Sequence, residues 1–207
     1  MQPHLSTGGN SRRILATFGV LGAIGALATV GTYSLFTDSV VAGPQTIASG
    51  TLDIALGSGQ PNRLTVGATN VAPGDTIQRA VDITNAGTID FASASLTTNA
   101  TATSLLDTDA TNGLQMVVDK CSAAWTETPV GAGFTYTCPG TTSSVIASRA
   151  VIGSALPLGA LASLTAGGTD HLRVTLTLPA SADNTFQGKS STIQYTFNAT
   201  QRAATNK

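Results

Sequence analysis

Four groups of side chains in this sequence are of types that do chemistry. The first is His171 beside Asp170. A histidine next to a carboxylate can act as a base, or can orient a metal from the second layer. Zinc hydrolysis needs three protein ligands and a base, as in H-E-x-x-H. The chain holds two histidines, His4 and His171, and Glu127 is its lone glutamate, distant from both in sequence. Serine hydrolysis lacks its nucleophile elbow, because G-x-S-x-G does not occur. The second group is "DTDATNG", in which Asp107, Asp109 and Asn112 offer oxygen ligands and Gly113 a turn. That is part of a calcium loop without its third liganding position and terminal glutamate, so a solvated, capped turn is the competing reading. The third is the pair Cys121 and Cys138, and the fourth the aromatics Trp125, Phe134 and Tyr136 around it. Exposed, such rings stack on sugars; buried, Trp125 packs over the sulfurs. No catalytic residue, metal or cofactor is assigned from these groups.

The scarcity of charge narrows the function further. Only 10% of residues are charged and the formal net charge is −1. Nucleic-acid binding needs a basic patch, which is missing. The two clustered arginines, Arg12 and Arg13, precede an uncharged run, Ile14–Val30, "ILATFGVLGAIGALATV". A basic start before an apolar run is the export pattern, so residues 1–35 read as a signal helix and 36–207 as the mature domain. The run is also long enough to stay as a membrane anchor. The arginine pair is compatible with a twin-arginine signal or with an ordinary basic start. Membrane contact is expected only through the uncleaved leader. Export implies an oxidising space, where a Cys121–Cys138 disulfide is the default and a metal thiolate pair the lesser alternative.

The elements that must carry these groups are strands. Apolar residues alternate in "TLDIAL" (Leu52, Ile54, Leu56), "TIQRAVDIT" (Ile77, Val81, Ile83), "HLRVTLTLP" (Leu172, Val174, Leu176, Leu178) and "TIQYTFNA" (Ile193, Tyr195, Phe197). Period-two alternation means one buried and one wet face, as in antiparallel sheets. Weaker strand candidates are residues 63–68, 89–97, 114–120, 134–138 and 144–150. "APGD" and "NAG" supply turns between the runs. Residues 98–113 read as a loop with one helical turn near 104–110, and 155–165 as an edge segment or a short helix. The sum is an all-β, antiparallel β-sandwich of one domain.

Three segments carry a family likeness: "GTYSLFTDS" with "IASGTLDIAL", then "PGDTIQRAVDITNAGTID", then "LPASADNTFQGKSSTIQYTFNATQ". In these the chain resembles the camelysin/TasA family of exported bacterial proteins. The resemblance implies a jelly-roll sandwich and a secreted protein that forms fibres in a biofilm matrix or on the cell surface. It implies cleavage by a signal peptidase of the SipW type, here between Leu35 and Phe36. It also raises a camelysin-like metalloprotease as a third reading, behind a surface adhesin or carbohydrate-binding module.

The fibre reading has a physical route. An open sheet edge offers unpaired N–H and C=O groups, and an extended arm from a neighbour can add to it. Residues 36–49 form such an arm, with Phe36, Val40, Val41 and Ile47 as its apolar positions, interrupted by Pro44. Head-to-tail addition does not close on itself, so it grows filaments. The plain alternative is that the arm is a frayed terminus or an ordinary first strand.

Overall fold

The alternating runs become the long strands of two facing sheets. A computed structural model describes residues 37–41, 52–64, 71–131 and 133–203. The leader, the Leu35–Phe36 bond, Phe36 and Ile47 lie outside the described residues. In chain order the strands are β1 (Thr37–Val41), β2 (Ile54–Leu56), β3 (Thr76–Asn85) and β4 (Phe91–Ala102). A one-turn helix α1 (Leu105–Thr108) leads to β5 (Gln115–Cys121), β6 (Thr126–Val130), β7 (Gly133–Thr137), β8 (Thr142–Ala150) and β9 (Gly153–Pro157). Strands β10 (Thr169–Thr177) and β11 (Thr192–Gln201) complete the set, each preceded by a short 3-10 turn. Among the described residues no helix is long and apolar enough to cross a membrane.

One sheet runs β1-β11-β4-β9 and the other β2-β3-β10-β5-β8, all pairings antiparallel, with β6 and β7 as a separate hairpin. Without β2 and the hairpin, the eight remaining strands interleave as β1-β11-β4-β9 and β3-β10-β5-β8. This alternation of the chain between two four-stranded layers is the jelly-roll arrangement. The likeness to a jelly roll therefore holds at the level of strand order.

The core lies between the sheets. Val81, Ile83, Met116, Val118, Leu172 and Val174 from one meet Phe91, Leu96, Leu156, Tyr195, Phe197 and Ala199 from the other, all buried. Each large side chain so buried contributes about 1.5–3 kcal/mol. Leu172, Val174 and Leu176 stand on the core side of β10, while His171, Arg173 and Thr175 between them stand on its outer side. The turn before β3 is built as "APGD" suggests: Asp75 N–H donates to Ala72 O at 3.0 Å, and Gly74 takes φ +91°, open to glycine without strain.

Three details differ from the alternation pattern. Strand β4 continues through residues 98–102, read from sequence as loop. Thr98 occupies a core position there with no exposure, because its Oγ1 donates to Val151 O at 2.5 Å. Strands β6 and β9 carry Pro129 and Pro157, which hid them. Arg63 and Leu64 are not in a strand; they follow a single bridge from Asn62 to Ala80, and 65–68 fall outside the described residues. The segment 155–165 resolves into the end of β9 and a 3-10 turn at Ala162–Leu164.

Candidate functional site

The outer face of the β3-β10-β5 sheet gathers most of the chain's scarce chemistry. Asp82, directly opposite His171, meets its Nδ1 at 2.6 Å. One pair further along, Arg173 donates to Asp119 Oδ2 at 2.8 Å and to Tyr136 O at 3.2 Å, and lies 4.4 Å over the Trp125 ring. The β6–β7 hairpin lies on this face. Its Tyr136 hydroxyl donates to Glu127 at 2.8 Å, and Arg63 Nε donates to the same carboxylate at 2.6 Å. Arg63 also sits 4.2 Å over Phe134. The Cys121–Cys138 disulfide joins the end of β5 to the end of the hairpin. Trp125 and Tyr136 are buried with Cys121 and Ala80, and Trp125 Nε1 donates to His171 O at 2.9 Å. These rings are packed, so they offer no platform for a sugar.

The electrostatics hold each group in one state. The hydrogen bond from Arg63 keeps the Glu127 carboxyl below its ordinary range, with Tyr136 and the charges of Arg63 and Arg79 adding to it against burial. Burial, then the bond to Glu127, pushes the Tyr136 hydroxyl up to about 12. Burial alone raises Tyr195 further. The folded state thus binds fewer protons at Glu127 than the unfolded chain as pH falls below the glutamate's usual 4.5. Stability from this site is present above that pH and is lost on acidification. At Tyr136 the sign reverses: stability is full below pH 10 and is lost as pH rises toward about 12. Thermal melts across pH should show both limbs. Glu127→Gln should flatten the acid limb, though Asp107, Asp109 and Asp183, also held low, keep part of it. Tyr136→Phe should flatten the alkaline limb, with Tyr195 keeping part. Unchanged slopes in both variants would contradict the assignment.

As a zinc centre this donor set does not fit. His171 is the only histidine among the described residues, with Nδ1 taken by Asp82. The cysteines are bonded to each other, and Glu127 is held by a guanidinium and a phenol. Among the described residues no three His, Cys, Asp or Glu side chains group as metal ligands. Asp170, adjacent to His171, points the other way. It is buried and accepts from Ser163 N–H at 2.6 Å, with Lys120 at 3.8 Å.

The "DTDATNG" oxygens are likewise occupied. Asp107 Oδ1 accepts from Ser104 N–H at 2.7 Å and from Ser191 at 2.5 Å, and Oδ2 from Thr103 at 2.7 Å. With Ser104 it forms the capping box of α1. Burial works to raise its pKa, but these bonds outweigh it and hold the carboxylate ionised. Asp109 Oδ1 accepts from the backbone N–H groups of Thr111 and Asn112, each at 2.9 Å, while Asn112 Oδ1 accepts from Ser181. The geometry is that of a capped turn.

The remaining candidate is the arm. Of its positions, Val40 and Val41 fall in β1, paired to the outer edge of β11: Thr37 to Thr200, Ser39 to Asn198, Val40 to Phe197 and Val41 to Thr196. The other edges are blunted. Strand β2 has three residues. Strand β9 ends in Pro157, holds Ala155 at φ 49° and shifts register against β4. Strand β8 shifts register twice against β5. Bulges, prolines and shortness are how proteins suppress unwanted edge pairing. The β11 edge has none of these over Thr196–Thr200, and β1 closes it.

Sequence reasoning did not find Arg63, Arg79, Asp82, Asp119 or Arg173. Their partners lie on other strands, as with Arg63 and Glu127, separated by 64 positions. The available signal was that Asp82 and Arg173 sit on the wet phase of two alternating runs in a chain poor in charge.

With this geometry in view, residues 13–206 match the sequence model of the family described as camelysin metallo-endopeptidase. Among curated proteins none matches the chain.

Proposed function

Since the chain belongs to the camelysin metallo-endopeptidase family, we propose that it is a secreted structural protein whose copies assemble into extracellular-matrix or cell-surface fibres by exchanging β1. The observation that carries this reading is the place of β1: a five-residue strand at a sheet edge, the first strand in chain order, hydrogen-bonded within its sheet to β11 alone. Each bond that β1 makes to β11 of its own chain can be made equally to β11 of a neighbour. Such a swap costs little in contacts, and linker strain and concentration decide its direction. Because donor edge and acceptor edge differ, the exchange can run head to tail, and it grows a filament where the rotation between subunits does not close a ring.

Export explains the timing. Until a signal peptidase cuts between Leu35 and Phe36, β1 is tethered to the leader, which stays in the membrane. Cutting frees the strand outside the cell. The catalytic assignment is none, and the Glu127, Tyr136 and Arg173 network serves to fix the hairpin. Isolation of the exported product tests this: N-terminal sequencing should begin at Phe36 and negative-stain microscopy should show filaments. A product that stays monomeric at every concentration would overturn the reading. The family's description favours one rival, peptide hydrolysis. Casein cleavage by contaminant-free protein, abolished by a chelator, would support that rival.

A further inference from the structure

Charge is distributed unequally between the two sheets. Strands β3, β5, β8 and β10 carry Arg79, Asp82, Asp119, Lys120, Arg149, Asp170, His171 and Arg173, whereas Asp38 is the only charged residue in β1, β4, β9 and β11. The outer row of β4 and β11 is made of hydroxyls and an amide in register: Ser93 with Thr200, Ser95 with Asn198, and Thr97 with Thr196. Ser93 is exposed and the others are half-buried, as expected for an open sheet surface.

From this we infer that the uncharged outer row of β4 and β11 is a lateral contact between filaments, and that its occupant is the same row of a second copy. The inference rests on the fibre reading above. Two properties favour a copy of itself over another partner. Serine, threonine and asparagine each donate and accept, so the face is complementary to its own image. With no ionised group on its outer row, two such faces meet without like-charge repulsion or the cost of desolvating an ion. A glycan-binding face, by contrast, is built around an exposed ring, and the rows of β4 and β11 hold no outward aromatic.

The size of the face says when the contact matters. Two strands at about 4.8 Å spacing and about eleven residues at about 3.3 Å rise give roughly 350 Å². A stable interface takes about 800 Å² per partner. A single pair of subunits is therefore too weak to persist. Exchange of β1 repeats the face along a filament, and many weak contacts then act together. Isolated domains should not dimerise through it, while filaments should bundle.

The test is Thr97→Lys with Thr196→Lys, a directly paired site on the outer row, compared with Ser143→Lys with Ser148→Lys on exposed β8 positions. All substitutions are on solvent-facing positions, and circular dichroism with thermal melting checks the fold. By electron microscopy, wild-type and β8-variant filaments should lie in bundles, and the outer-row variant should give single filaments of normal length. Raising salt to screen the added charge should restore its bundling. Bundling of the outer-row variant like wild type, or wild-type filaments that never bundle, overturns the inference and leaves the fibre reading standing. Bundling only after a neutral polysaccharide is added gives the face to a glycan and overturns the pairing of copies. Absence of any filament removes the fibre reading itself and this inference with it.

Discussion

Deleting residues 36–45 from the mature chain abolishes filament growth while leaving a folded, disulfide-bonded domain. The deletion removes β1, the strand that the proposed exchange would give to a neighbour. It leaves β11 flanked on one side by β4, with its Thr196–Thr200 edge open. The core retains Leu96, Met116, Leu172, Val174 and Phe197, so the sandwich has the means to stay folded. The truncated subunit can accept an arm and cannot give one. Mixed at low ratio into wild-type protein, it should therefore cap growing ends and shorten filaments, an effect that mere loss of stability does not produce. Length distributions by electron microscopy check this. Filaments of unchanged length, with the truncated copy incorporated throughout, would contradict the role given to β1.

Replacing both cysteines, Cys121→Ser with Cys138→Ser, should lower stability by about 3 kcal/mol, the loop-closure value for a span of this length. The cross-link separates positions 17 apart and encloses the whole β6–β7 hairpin. For a domain of this size, that loss shifts Tm by about 6–12 °C. The loss falls first on the hairpin, because Trp125 and Tyr136 rest on the outer sheet face beside the disulfide. Trp125 fluorescence should therefore shift toward the solvent-exposed value below the main melting transition. A Tm within about 1 °C of wild type would show that packing alone holds the hairpin.

Legibility from sequence followed the physics of each element. Strands β10 and β11 could be read because apolar and polar residues alternate without a break over residues 171–178 and 192–200. The disulfide could be read because the chain has two cysteines and a start, basic and then apolar, of the pattern that export signals follow. Polar residues at core positions could not: Asn85 and Thr98 have no exposure, and each is made tolerable by a bond that only the tertiary structure supplies, to Ile89 O and to Val151 O. Strands β6 and β9 were hidden by their prolines and by lengths of five residues. The charged layer was hidden because its pairs join distant strands, as Asp82 joins His171. Strand β1 was visible within an apolar segment. Its pairing with β11 was not, since the two lie far apart in sequence and nothing local to either names the other.

The exchange of β1 between subunits is tested most directly by cross-linking at one register pair. Ser39 lies opposite Asn198. Two single variants, Ser39→Cys and Asn198→Cys, are purified separately, mixed, allowed to assemble and oxidised. Exchange predicts covalent dimers on a non-reducing gel, formed only from the mixture and only in the assembled fraction. Filaments that form normally from the mixture with no such dimer, while the double variant links only within its own chain, would show that β1 never leaves home.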